Sequence, residues 1–597
     1  MHKKILLLLL IITNLSYAEE IKLSINEIIT VTASRLPLAI SNIGKIITII
    51  TQNEIKQSKA NSIQELLNYI GSLDIQERSK NGIQADFSIR GSTFQQVLIL
   101  IDGIRFNDLQ TAHHNSDIPI PLDSIEYIEI LHGGGSSIHG ADAFGGVINI
   151  VTKKNANNKM NSSFSYGQFN SYNAALSSYT NINKLAFISS IQVNSSDGFT
   201  YDRDYKTLTL SNKLSGKLLS GNISINTAYS SKNFGAFDFY TPGKNFPSFE
   251  KTKTLLFSYI YSKKITDNIN FLHSISFRHH YDDFLLDKEK PFLFNNKTTN
   301  NILNSHFIIS NNHIAVGLEF AKEHIDSIKL GQHSAKRFSV FSEYGRLIFA
   351  KLMLNIGIRL DWHQIYDWSY SPSLCSTYFL SENINIKFNI SRAFRAPSYT
   401  ELFYEDPVNE GNSYLEPETA WIYELALDSK ISNKVNMLFS AFKREENNLI
   451  DWIKYSFDNK WYAENIKDMN IKGLETIIKS RLMNNKLSFA LSATLISAKQ
   501  NMHTVEYKYG FRFPKLHVAT TINYQFNKLL STNIKATYKD RINQKNYFLT
   551  DISFNFNIKQ SVIFIKGNNI FNKQYEDVTG VSMPGRWLFI GIEFFLK

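Results

Sequence analysis

DISFNFNI, Asp551–Ile558, sets the reading of most of this chain. Ile552, Phe554, Phe556 and Ile558 alternate with Ser553, Asn555 and Asn557. Successive side chains of a strand point to opposite faces, so this stretch reads as a strand with one apolar and one polar face. LSFALSATL at Leu487–Leu495 repeats the pattern, and Ile223, Ile225 and Thr227 do the same against Ser224 and Asn226. The texture recurs without a helical interruption for about 440 residues from residue 156, longer than a soluble sandwich domain runs. A membrane barrel suits it. Its outer face meets lipid, its inner face meets water or a plug, and closure leaves no unpaired backbone in hydrocarbon. At roughly 20 residues for each strand and its connection, about 22 antiparallel strands fit the length, and 20 or 24 fit as well.

Towards the C-terminus the pattern persists. Leu588, Ile590, Ile592, Phe594 and Leu596 form one apolar face, and Lys597 ends the chain. Towards the N-terminus it stops near residue 155. Residues 41–155 read as a compact α/β unit. Ile43–Ile50 reads as a strand, Asn53 and Ser62 as helix starts, and Phe87–Arg90 and Val97–Asp102 as strands, the latter closing in an Asp102–Gly103 turn. IEILHGGGSSIHGADAFGGVINIVT, Ile128–Thr152, sets two strands about a glycine cluster that permits turns and close backbone approach. Phosphate binding is the alternative for such a cluster. A P-loop needs Lys and Ser/Thr where Ala141 and Asp142 follow Gly140.

The first 18 residues read as an export signal. Lys3 and Lys4 precede the short apolar run Ile5–Ile12, and Ser16-Tyr17-Ala18 offers a cleavage site. No later stretch approaches the roughly 18 apolar residues of a helical span. The single cysteine, Cys375, excludes an internal disulfide and any multi-cysteine metal site. Net charge is +11. In an exported chain that fits a surface facing phosphate-rich lipopolysaccharide better than a nucleic-acid footprint. The 43 Phe and 29 Tyr agree with the aromatic girdles of outer-membrane barrels.

Several separated segments resemble TonB-dependent outer-membrane receptors. Glu27-Ile28-Ile29-Thr30-Val31-Thr32-Ala33 looks like the TonB box. Ile89-Arg90-Gly91 with VLILIDGIRFND (Val97–Asp108) looks like the plug core, and Ile128–Thr152 like its end. AFRAPSYTELF (Ala393–Phe403), GNSYLEPETAWIYELAL (Gly411–Leu427), IKGLE (Ile471–Glu475) and GNNIFNKQYEDVTGVSMPGRW (Gly567–Trp587) resemble barrel stretches. Each is weak alone; their joint order is specific. The resemblance implies an all-β membrane barrel of 22 strands with an N-terminal α/β plug in its lumen. The division would be 1–18 signal peptide, 19–40 TonB box and linker, 41–155 plug and 156–597 barrel. His132, Gly134 and His139 stand where the family commonly has Arg, Pro and Tyr, so some plug hydrogen bonds must differ. Lys597 stands where the family usually ends in Phe.

The family's function would be energised uptake of a bulky, scarce nutrient across a Gram-negative outer membrane. Partners would be TonB, a small-molecule ligand, and outer-membrane lipid and lipopolysaccharide. No catalytic role is expected, since G-x-S-x-G and H-E-x-x-H are both absent. Compact size and the IDGIRFND and ADAFGGVINI stretches look most like the cobalamin receptor branch. A ferric siderophore or haem receptor is the alternative, and a passive porin or adhesin barrel a further one. Haem receptors usually carry a His after the FRAP box, and none lies between Pro397 and Gly411.

Ligand contacts are expected at two plug apices: Arg78, Ser79, Lys80, Asn81 and Gln84, then Phe106, Asn107, His113, His114 and Asn115. His113 and His114 could ligate a metal, although two ligands do not complete a typical site. Arg90, Asp102 and Arg105 are candidates for ion pairs between plug and wall. No cofactor is certain. The cobalamin branch can bind calcium through acidic loops, and Asp197, Asp202 and Asp204, with Asp238 in the following loop, supply suitable oxygens. The spacing is no EF-hand, and loop aspartates are ordinarily just solvated.

Overall fold

The computed structural model describes residues 32–456, 458–466, 468–499, 505–510 and 512–596. The whole signal segment 1–18, residues 19–26, Glu27–Val31 of the TonB-like box, and Lys597 lie outside them.

Twenty-two antiparallel strands close into one barrel. β8 (Lys159–Gly167) is the first barrel strand, and the terminal strand Trp587–Leu596 pairs with it from Phe589↔Gly167 to Leu596↔Met160. The alternation of Asp551–Ile558 is realised as expected. Phe554, Phe556 and Ile558 are exposed on the outer wall while Ser553 and Asn555 are buried against the interior. The terminal strand does the same with Leu588, Ile590, Phe594 and Leu596 outward. Cys375 turns inward, buried, and its thiol donates to Asn389 Oδ1 at 3.2 Å.

The lumen is filled by the N-terminal unit. β1 (Ile46–Thr51), β6 (Ile125–His132), β7 (Gly146–Thr152), β4 (Val97–Ile101) and β5 (Ile104–Arg105) form a five-stranded sheet in the order β1-β6-β7-β4-β5. β4 and β7 run parallel, and the other neighbours antiparallel. β2 (Leu73–Glu77) and β3 (Ala85–Ile89) pair separately as a hairpin. Ile99, Ile101, Ile128, Ile130, Ile148 and Ile150 join Leu67, Phe87 and Phe106 in one buried apolar cluster.

β1 starts at Ile46 rather than Ile43. The chain there passes against the wall: a Cβ on Gly44 would lie 2.5 Å from Ser376 N and 2.9 Å from Phe388 O. The first helix, Gln52–Ser58, begins one residue before Asn53. Thr51 caps it, its hydroxyl accepting from Glu54 N while the Glu54 carboxylate accepts from Thr51 N at 2.7 Å. Ser62 caps the second, Ile63–Leu67, as expected.

Connections at one end of the barrel are short, such as 183–184, 219–220 and 559–560. At the other end they are long, notably 396–417, 448–468 and 569–586. Outer-membrane barrels place short turns on the periplasmic side and longer loops outside, which orients the molecule. Three outer loops contribute Glu405–Asp406, Asn409–Glu410, Trp461–Ile466, Leu449–Tyr455 and Val505–Tyr507 to a small five-stranded sheet. A porin's open lumen is not what this chain builds.

Buried charge holds the filling in place and makes it acid-sensitive. Burial pushes the Glu65 carboxyl up, but Lys566 and then Lys535 outweigh it and hold it at about 2, below the ordinary 4.5. Asp86 is likewise raised by burial and pulled down to about 2 by Arg78 and His113. A carboxyl with a depressed folded value contributes stability that is complete above its unfolded value and lost as pH falls through its folded value. Hydrogen-exchange protection of Ile63–Leu67 is therefore expected to hold from neutrality to about pH 4.5 and to decline between there and about pH 2. Loss of protection already near pH 6 would contradict this.

Candidate functional site

The tip of the β2–β3 hairpin lies under the outer loops and is covered by them. Arg78 binds Asp86 at 2.8 Å and reaches the Phe239 carbonyl at 3.3 Å, while Arg203 of the 197–204 loop donates to the Arg78 carbonyl at 2.7 Å. Lys80 pairs with Glu77 at 2.5 Å, Asn81 donates to the Tyr205 hydroxyl, and Gln84 donates to the Tyr240 hydroxyl at 2.5 Å. Ser79 is buried among them. The first predicted apex is thus brought together, but in contact with loops rather than bare.

The second apex divides. Phe106 is buried in the plug core with the Arg278 guanidinium 4.8 Å over its ring. Asn107 takes Ile99 N at 2.8 Å and gives to Val97 O at 3.1 Å, and Asn115 accepts from Asp108 N at 2.8 Å. These three brace the plug. His113 instead points up. It stacks on Phe94 with centroids 4.3 Å apart, accepts the edge of Tyr509 at 5.9 Å, faces Tyr240 at 6.3 Å, and contacts Asp86 Oδ1 at 2.6 Å. Tyr509 also meets Phe94 edge-on at 5.0 Å. Phe94, His113, Tyr240 and Tyr509 therefore make an aromatic cluster between plug and loops, with Arg78 beside the Tyr240 ring at 5.9 Å. The rings are packed on one another and carry both stacking faces and hydrogen-bonding edges. Sequence reasoning missed Phe94, Tyr240 and Tyr509. The two tyrosines lie in loops without periodicity, and only the fold brings them to Phe94. His114 turns away, into the seam between plug and wall.

A pocket on the same outer side runs between the plug and the 396–417 loop. It is small, with a cavity volume of about 70 Å³, and is lined by Gln95, Arg105, Asp142, Arg337, Tyr366 and Tyr399.

Plug and wall are joined by buried ion pairs. Arg90 bridges Glu424 and Glu475, the latter at 2.5 Å, and Asp102 binds Lys213 at 2.8 Å. Arg105 departs from expectation. Its partners are Asp142 at 2.8 Å and the carbonyls of His139 and Ala141, all within the plug. The His139–Asp142 turn offers it three acceptors, so it has no need of the wall. Asp74 with Arg541 and Asp117 with Lys232 are further plug-to-wall pairs that the sequence did not reveal.

The departures in the glycine segment acquire roles. His132 contacts Glu475 at 3.0 Å, beside Arg90, and Thr48 at 2.9 Å. A Cβ on Gly134 would sit 2.8 Å from Ile422 Cδ1 and 2.9 Å from Ser391 Oγ, so a proline there would require these wall side chains to shift. His139 donates from Nε2 to the Thr32 carbonyl at 2.8 Å and takes Arg35 on Nδ1 at 3.3 Å. Thr32 and Ala33, the described end of the TonB-like box, are buried here, the Thr32 hydroxyl donating to Glu129.

The four loop aspartates do not converge. Asp197 accepts from Asn170 at 2.6 Å, Asp202 pairs with Lys288, Asp238 accepts from Asn245 N at 3.0 Å, and Asp204 is exposed. Among the described residues, the carboxylate and histidine groups close enough to share an ion lie elsewhere.

Comparison with known proteins agrees with this architecture. The family described as TonB dependent receptor-like, beta-barrel matches residues 146–570, and the TonB-dependent Receptor Plug Domain matches residues 39–147. The vitamin B12 transporter BtuB of Vibrio cholerae serotype O1 is 25% identical over 98% of this chain and 98% of its own. That of Vibrio vulnificus is 23% identical over 97% of this chain and 95% of its own. Among solved structures, the siderophore receptor PirA of Acinetobacter baumannii superposes with a TM-score of 0.76 at 15% identity, covering 92% of this chain and 98% of that one. PirA of Pseudomonas aeruginosa gives 0.72 at 19%, covering 92% and 99%.

Proposed function

The chain belongs to the TonB-dependent receptor family, and from that premise we propose that it imports cobalamin or a related corrinoid across the outer membrane. The observation that carries the ligand is the end-to-end alignment with proteins named vitamin B12 transporter. The likeness to siderophore receptors concerns the fold and does not bear on the ligand.

In this reading the ligand engages the outer apices, with Phe94, His113, Tyr240 and Tyr509 as stacking faces and Arg78, Lys80, Asn81 and Gln84 as polar contacts. The loops that cover these groups must lift for it to enter. Binding then loosens the contacts that hold Thr32 against Glu129 and His139. TonB adds to Glu27–Ala33 as a strand and pulls. The plug rearranges, the ion pairs to the wall part, and the ligand passes. No side chain here is asked to make or break a covalent bond. Residues 1–18 direct export, and the basic excess favours contact with lipopolysaccharide phosphates.

The test is fluorescence titration of the purified, detergent-solubilised receptor with cyanocobalamin, with and without calcium. Saturation with Kd below about 1 μM is expected, equivalent to about −8 kcal/mol. Tyr509→Ala should weaken it by about 2 kcal/mol, roughly 30-fold, as truncation of a buried aromatic anchor does. Calcium-dependent tightening that is lost in Asp202→Asn or Asp238→Asn would show that ligand draws together Asp197, Asp202, Asp204 and Asp238, which do not converge in this structure. Failure to bind cyanocobalamin while a ferric siderophore saturates would overturn the corrinoid reading and leave energised import standing.

A further inference from the structure

Where His114 turns into the seam, it meets a second histidine and a carboxylate. Asp117 Oδ2 lies 3.1 Å from His280 Nε2 and 3.8 Å from His114 Nδ1. The two imidazoles face each other with centroids 4.6 Å apart. His114 and Asp117 come from the plug, and His280 from the barrel strand Asn270–Leu285. Each of the three can offer a ligand atom within 4.8 Å of the other two, and all three residues are buried.

From this geometry we propose that His114, Asp117 and His280 form a site for a divalent first-row transition cation, such as zinc, that spans the plug and the wall.

The distances suit such an ion. Metal–nitrogen and metal–oxygen bonds of about 2.1 Å in tetrahedral geometry put ligand atoms about 3.4 Å apart. Two imidazoles and one carboxylate suit zinc or iron(II) and leave coordination positions open. The surroundings are also those of a metal centre. A ligating histidine ordinarily has its other ring nitrogen held by a carboxylate. Here a carboxylate stands next to each far nitrogen, Asp282 Oδ2 at 3.6 Å from that of His114 and Asp108 Oδ2 at 3.2 Å from that of His280, and neither contact is yet a hydrogen bond, so each ring must turn slightly to be held in this way. Asp108 is fixed in turn by Arg278 at 2.6 Å, and Asp282 Oδ2 by Gln110 at 2.9 Å. Lys232 occupies the other oxygen of Asp117 at 2.8 Å, which leaves Oδ2 turned to both rings. Asp282 Oδ1 is buried with no hydrogen-bond partner, so this carboxylate retains capacity beside the site. A bound cation would staple the plug segment Ala112–Ser116 to the wall directly beneath the His113 aromatic cluster.

The experiment is titration of chelator-stripped, full-length receptor with cobalt(II), followed by its visible d–d absorption, with zinc as competitor. A single saturating equivalent displaced by zinc is expected. His114→Gln and His280→Gln should each abolish it, and Asp282→Asn should weaken it roughly 10- to 100-fold, as loss of a carboxylate behind a ligand does. Both histidine variants are checked for heat-modifiable gel mobility to show an intact barrel. Should either misfold, X-ray absorption of the zinc-loaded wild-type protein decides by counting two imidazole ligands. No saturable cobalt in the wild-type protein, a signal that survives both histidine substitutions, or a zinc spectrum without two imidazoles would overturn the site. The cluster would then be a plug-to-wall ion-pair network.

Discussion

Ile29→Pro is expected to reduce energised uptake to the level of cells lacking TonB while leaving ligand affinity unchanged. Ile29 is the third residue of the TonB-like segment Glu27–Ala33. A segment that adds as a strand to a partner's sheet edge is held by its main-chain hydrogen bonds. Proline removes one N–H donor and fixes φ near −65°, so it interrupts the ladder wherever that N–H pairs. A side-chain change such as Ile29→Ala leaves the ladder in place and should cost far less. The contrast between the two isolates the backbone as the element that transmits force. In the proposed reading the ligand binds at the outer apices and not at Glu27–Ala33, so a cyanocobalamin titration of Ile29→Pro should overlay the wild-type curve. Uptake of labelled cyanocobalamin reads the other half. Wild-type uptake by the proline variant would remove Glu27–Ala33 from the mechanism. Equal loss in both substitutions would point to side-chain recognition instead.

What the sequence made legible follows from periodicity and turn chemistry. The barrel wall was readable because Ile552, Phe554 and Phe556 must face lipid while Ser553 and Asn555 face inward, and a period of two records that directly. Ser62 as a helix cap was readable because its hydroxyl serves a donor three residues away. The start of β1 was not, because Gly44 is placed by Ser376 and Phe388, more than three hundred residues on. The site shows the same division. His113 stood out as one of an adjacent pair, but nothing local separates it from His114, although one faces the aromatic cluster and the other the seam. Phe94, Tyr240 and Tyr509 come from the plug and two loops, and His280 from a barrel strand, so only the closed fold assembles them with the two histidines. Arg105 was a candidate for an ion pair with the wall. Three acceptors in the neighbouring turn claim it, and an arginine with satisfied donors in the plug has no further need of a carboxylate across the seam.

Arg90→Met is expected to loosen the plug by about 3–5 kcal/mol, the usual penalty for breaking a buried ion pair from one side. The guanidinium is buried, with Phe442 stacked 4.5 Å below it, and it serves Glu424 and Glu475 together. Methionine retains most of the volume but takes the guanidinium away from both wall carboxylates, leaving Glu475 its contact with His132 at 3.0 Å. The barrel does not depend on this contact, since its strands are closed by their own ladder. The variant should therefore keep heat-modifiable mobility while its plug becomes protease-sensitive and its lumen admits large antibiotics that the wild-type protein excludes. Adding Glu424→Gln and Glu475→Gln should restore most of the protection, because the cost lies in stranded charge rather than in a lost attraction. A protected Arg90→Met plug would show that the bridge carries no load. A triple variant as leaky as the single one would show that shape around Phe442, not charge, holds the plug. The expected pattern suits a transporter. A buried charge pair adds little net stability while it is intact, yet resists partial separation, so the plug stays seated against thermal motion and yields only to a directed pull.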